Sequence, residues 1–104
     1  MDYIDIDKAA IPYKFDIQIS GVTYTIEIHY NAEYDFFTID LYRGTDVLVL
    51  GEKLVYGKPL FETIRDKRFP DKIILPTDPS EQSTRITYEN LGESVFLFLI
   101  DREG

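Results

Sequence analysis

Cysteine and tryptophan are both missing from this chain of 104 residues, and histidine and methionine occur once each. Without cysteine there are no disulfides, no thiol nucleophile and no thiolate metal ligand, and nothing points to an oxidising compartment. A single histidine removes the paired imidazoles on which clustered metal sites are usually built. Basic residues are scarce as well: 11 Lys and Arg stand against 19 Asp and Glu, for a net charge of −8. Such a surface repels nucleic-acid phosphates and anionic lipid alike, so neither is expected as a partner. The longest apolar run, Val95 to Ile100, is far too short to cross a bilayer. The opening Met1-Asp2-Tyr3 carries no basic or apolar leader segment, so a cytoplasmic product is expected. There is no internal repeat, linker, nucleophile elbow, phosphate-cradling glycine loop or dinucleotide fingerprint.

What the chain does have is alternation. Tyr13, Phe15, Ile17 and Ile19 are separated by Lys14, Asp16 and Gln18, and Val22, Tyr24, Ile26, Ile28 and Tyr30 by Thr23, Thr25, Glu27 and His29. A period of two marks strands with one face in a core and one in water. Ser20-Gly21 between the runs suits a tight hairpin turn. If Ile19 faces Val22, then Tyr13 faces Ile28, every apolar side chain falls on one face, and Lys14 lands opposite Glu27. A slip of one position mixes the faces, so the pattern selects its own register.

The remaining segments read as further strands. Tyr3, Ile4 and Ile6 among Asp2, Asp5 and Asp7 form a short edge strand, and Pro12 belongs at a strand start. Asn31 to Asp35 is a hairpin loop. Phe37, Ile39 and Leu41 point inward, Thr38 and Asp40 outward, and Phe36 and Tyr42 are aromatics on the outward phase. Arg43 to Asp46 is a turn before a short, deeply buried strand, Val47 to Leu50. Gly51 and Gly57 mark bulges or corners, with Gly21 and Gly92 as further structural glycines. Glu62 to Ile64 adds a short strand, and Ile73 to Leu75 a buried one ending at Pro76. Asp78-Pro79-Ser80-Glu81 has the residues of a capping box and predicts one helical turn. The continuous apolarity of Val95 to Ile100 predicts a central strand covered on both faces. The expected fold is all-β: a single domain over residues 1–104, a small barrel or sandwich of antiparallel strands with at most one short helical turn.

Candidate chemistry is sparse. His29 lies on the outward phase with Glu27 beside it, and reads as a solvated histidine. Asp2, Asp5 and Asp7 do not make a calcium loop, because Ala9 and Ala10 stand where ligand and glycine are needed. No catalytic, cofactor-binding or metal-binding residue is assigned, and no cofactor is expected. Tyr34, Phe36 and Tyr42 are candidates for an exposed aromatic patch that binds protein or sugar; the alternative is that the N-terminal segment covers them. Arg65, Lys67 and Arg68 form a basic island with Lys72 nearby, either a solvated loop or a dock for an acidic partner, other copies of this chain included.

The order of segments resembles the small β-barrel family of cyanophage baseplate plug proteins from contractile-tail phages. The resemblance runs from Ile11-Pro12, through the hairpin with Gly21 and the strand ending Ile39-Asp40-Leu41-Tyr42, to Val47-Leu48-Val49-Leu50-Gly51-Glu52-Lys53-Leu54-Val55-Tyr56-Gly57-Lys58-Pro59-Leu60. It closes on Leu91-Gly92 and the apolar final strand. The chain departs from the family in having Tyr13-Lys14 where an Asn-Gln pair often enters the first hairpin. The resemblance implies a non-enzymatic phage or prophage tail component, made in the host cytoplasm and built into the virion baseplate, where it docks against hub and tube proteins or further copies of itself. A small carbohydrate- or protein-binding β module is the alternative, weakened for sugars by the absence of tryptophan.

Overall fold

The computed structural model describes residues 2–62, 64 and 66–101. Its strands are β1 (Tyr3–Ile4), β2 (Tyr13–Ile19), β3 (Val22–Asn31), β4 (Phe36–Arg43), β5 (Asp46–Lys53), β6 (Lys72–Thr77) and β7 (Phe96–Asp101). They form two antiparallel sheets: a large one in the order β2-β3-β4-β5 and a small one in the order β1-β7-β6. Among the described residues no strand pairs from one sheet to the other, so the ladders do not close into a barrel.

The first hairpin has the register that alternation demands. Ile19 pairs with Val22, Ile17 with Tyr24, Phe15 with Ile26, Tyr13 with Ile28, and Lys14 with Glu27 on the opposite face. Ser20 and Gly21 both have positive φ, 54° and 80°. That is the signature of the hairpin turn whose twist matches its flanking strands. In β4, Phe37, Ile39 and Leu41 are fully buried, each removal from water contributing about 1.5–3 kcal/mol.

The core lies between the sheets. Ile19, Tyr24, Ile26, Ile28, Phe37, Ile39 and Leu41 of the large sheet meet Ile4, Ile74 and Leu97 of the small one. Leu54, Leu60, Phe61, Ile86, Leu91 and Val95 from the connections complete the same cluster.

Several segments differ from their sequence reading. β5 runs eight residues and is an edge strand, not a deeply buried one; Val47 is 56% and Leu50 63% exposed. Its register against β4 shifts twice, and Leu50 and Gly51 together oppose Asp40. This bulge, with Gly51 at φ 73°, turns Leu50 outward. Glu62 and Ile64 lie in turn and loop rather than strand, following Phe61 at φ 59°, and Thr63 lies outside the described residues. β6 continues through Pro76 to Thr77. The Pro76 carbonyl accepts from the Gly57 N–H at 2.8 Å, so the donor-less side of this proline faces away from β7 and no ladder bond is lost.

The helical turn is also misplaced. At Asp78 to Glu81 a single turn is closed by the Glu81 N–H on the Asp78 carbonyl, and Glu81 at φ 60° then leaves helical geometry. A 3₁₀ turn stands instead at Lys8–Ala10, where the Asp7 carboxylate accepts from the Ala9 N–H. The Asp78 side chain still caps its turn, accepting from the N–H and hydroxyl of Ser80 and the N–H of Ser83.

β7 is central in its sheet, but only one of its faces belongs to the core. Leu97 and Leu99 turn inward, as do their partners Ile4, Pro76 and Ile74. Phe96, Phe98 and Ile100 point the other way, with Tyr3, Ile73 and Leu75 beside them. Among the described residues these six stay outside the core cluster.

Candidate functional site

The outer faces of the two sheets are chemically opposite. The large sheet turns Lys14, Asp16, Gln18, Thr25, Glu27, His29 and Asp40 to solvent, as its alternation requires. The small sheet presents an apolar face. Tyr3 lies 4.8 Å from Phe96 and 6.1 Å from Phe98 between ring centroids, and Phe96 lies 5.9 Å from Phe98. These tilted and edge-on contacts are the favourable geometries for aromatic pairs. They leave Phe98 buried by its neighbours on the outer face, while Tyr3 is 48% exposed. Lys72 and Asp101, on the inward phase at the end of the β6–β7 ladder, form an ion pair at 2.9 Å, and the aspartate raises the lysine pKa. The exterior of the small sheet is thus apolar where that of the large sheet is polar and charged.

The aromatics singled out from sequence are divided. Tyr34, 68% exposed at the β3–β4 loop, and Phe36 share an open cleft of about 210 Å³ with Lys53, Val55, Tyr56 and Arg85. The Lys53 ammonium sits 4.6 Å from the centre of the Phe36 ring. Tyr42 lies six positions along β4 from Phe36, roughly 20 Å away at the rise of an extended strand. Its ring takes the Lys14 ammonium at 5.1 Å and its hydroxyl donates to Glu27 at 3.4 Å. Desolvation, then the charges of Asp40 and Glu27, raise its pKa. The two outward aromatics of β4 thus each lie under a lysine ammonium, one from β5 and one from β2.

Of the basic island, Arg68 and Lys72 are paired with carboxylates. Arg68 holds Asp66 through a forked contact, 2.7 Å at its shortest, and reaches Asp46 at 3.9 Å. The Arg68 hydrogen bonds hold the Asp66 carboxyl down to about 2. Lys67 is exposed, and Arg65 lies outside the described residues. Of the glycines, Gly57 and Gly92 have φ of 73° and 84°, and Gly92 donates to the Val95 carbonyl beside the Leu91–Val95 bridge.

Two arrangements went unread in the sequence. Asp35 accepts from the Tyr30 hydroxyl at 2.7 Å and the Tyr88 N–H at 2.9 Å, which lower its pKa and tie the β3–β4 loop to the segment before β7. On the large sheet, His29 Nε2 lies 3.2 Å from Glu27 Oε2 and also 3.2 Å from Asp40 Oδ2. Glu27 was visible from its spacing; Asp40 comes from β4, and only the β3–β4 register, with Glu27 opposite Asp40, brings it in.

Among the described residues no helix is long and apolar enough to cross a membrane. Residues 1–102 match the family model described as Cyanophage baseplate Pam3 plug gp18. No curated protein matches the chain.

Proposed function

We propose that this chain, which belongs to the cyanophage baseplate plug family, is a non-enzymatic tail component that docks in the baseplate hub through the outer face of its small sheet. The observation that carries this reading is the set Tyr3, Ile73, Leu75, Phe96, Phe98 and Ile100, apolar and aromatic yet outside the core cluster between the sheets. In a chain of net charge −8 with alternating polar strands elsewhere, an apolar face left partly exposed is one that a partner gains by desolvating. The partners of this reading are hub and tube proteins, met in the host cytoplasm during assembly and retained in the tail baseplate.

Co-expression with the hub and tube proteins encoded beside it tests the reading. The wild-type chain is expected to co-purify with a hub or tube subunit. A Tyr3→Ser, Leu75→Ser double variant is expected to lose that association while keeping its β-type circular dichroism. Failure of the wild type to associate with any hub or tube subunit overturns the docking role. Undiminished association of the variant overturns the choice of face. A stable dimer of the chain alone, abolished by the same pair of substitutions, assigns the face to self-association and overturns hub docking through it.

A further inference from the structure

We propose that Glu27, His29 and Asp40 form a binding site for a divalent transition-metal ion of the Zn²⁺ type on the outer face of the large sheet. This site is independent of the docking reading, since it occupies the other sheet. The three side chains each offer one ligand atom, and those atoms all lie within 4.8 Å of one another. Zn²⁺ bonds imidazole nitrogen and carboxylate oxygen at about 2.0–2.2 Å, which places two donors on one ion roughly 3.0–3.4 Å apart for bond angles from 90° to tetrahedral. The Nε2–Oε2 and Nε2–Oδ2 separations are both 3.2 Å. Each nitrogen–oxygen pair is already at the spacing that an ion bound to both would impose.

The carboxylates are also held in orientation. Asp40 directs Oδ2 at the imidazole because its Oδ1 accepts from the Gly51 N–H at 2.7 Å, in the bulge of β5. Glu27, although its Oε1 also faces the competing Lys14 ammonium at 3.7 Å, directs Oε2 there while that Oε1 takes the Tyr42 hydroxyl at 3.4 Å. Outer contacts of this kind orient metal ligands and keep the second oxygen from swinging in. One imidazole nitrogen faces two carboxylates there, and a divalent ion between them answers both charges at once. One imidazole with two carboxylates suits zinc, and the 40% exposure of the His29 side chain leaves its remaining coordination positions to water or to a donor from a neighbour.

Calorimetric titration of ZnCl₂ into the full chain, freed of metal by chelator, tests the assignment. One ion per chain is expected. His29→Gln and Asp40→Asn are each expected to weaken binding at least tenfold; asparagine keeps the oxygen that serves Gly51. Lys14→Gln, which removes the competing ammonium, is expected to strengthen binding roughly two- to fivefold, the worth of an exposed ion pair. In the wild-type chain, nitrogen NMR of the single histidine should show Nε2, not Nδ1, responding to zinc, a readout that holds even if a variant folds poorly. No stoichiometric binding, binding undisturbed in both variants, or a histidine whose nitrogens ignore the metal overturns the site.

Discussion

Phe37 and Asp78 are both buried, for opposite physical reasons. Phe37 is fully enclosed in the core between the sheets, its ring tilted against that of Tyr30 at 4.8 Å between centroids. Replacing it with alanine deletes apolar contacts and leaves a void, so Phe37→Ala is expected to cost about 3–5 kcal/mol in urea unfolding. Asp78 is enclosed because its charge is needed. The Ser80 hydroxyl, ahead of the contacts from Ser83 and the Ser80 N–H, lowers its pKa from 3.8 to about 2. A carboxyl depressed in the folded state stabilises above its unfolded pKa and loses that contribution as pH falls through the folded value. Asp78→Asn is therefore expected to lower the melting temperature at pH 7, with the gap from wild type closing as pH falls from 3.8 toward about 2. The capping role of this aspartate was legible in Asp-Pro-Ser-Glu; the absence of a helix was not, because the left-handed backbone of Glu81 leaves no mark in local sequence. For the same reason His29 looked solitary. Its second carboxylate arrives from another strand, and no spacing within β3 announces it.

At the scale of elements, the first hairpin was readable to the residue because three signals agreed: period-two alternation, a turn that tolerates positive φ, and Lys14 opposite Glu27. β5 was misread because an apolar tetrapeptide looks the same at the centre of a sheet and at its edge. Its bulge depends on Gly51, around which a Cβ meets nothing within 4 Å. The cost of Gly51→Ala is therefore one of backbone conformation, about 1–2 kcal/mol, with Gly51→Asn milder since asparagine tolerates the left-handed region better. Denaturant midpoints for the two variants check the order. The edge position carries its own prediction: Val47→Thr and Leu50→Thr are expected to stay within about 0.5 kcal/mol of wild type in the same assay, whereas a buried strand would lose several times more.

Across the whole molecule, two sheets share one core but not one kind of exterior. The all-strand class and the central place of β7 were legible, because runs of valine, isoleucine, phenylalanine and tyrosine favour a pleated, covered surface. The fate of the second face of β7 was not. Continuous apolarity reports that both faces avoid water, and says nothing of whether the same chain or another provides the cover. Net charge adds a bulk effect. At −8 the folded chain repels itself, so its melting temperature is expected to rise between about 10 and about 200 mM NaCl as screening shortens the reach of that repulsion.

The connection leaving β5 is hydrogen-bonded to both sheets. Leu54 donates to the Phe37 carbonyl of β4, while Gly57 and Leu60 donate to Pro76 and Ile74 along the free edge of β6. This segment is a clasp stitched into both halves of the sandwich, so neither half can come apart while the other stays intact. Deuterium uptake at the Leu54, Gly57 and Leu60 amides should then keep pace with the strands they grip, and the molecule should melt in a single step.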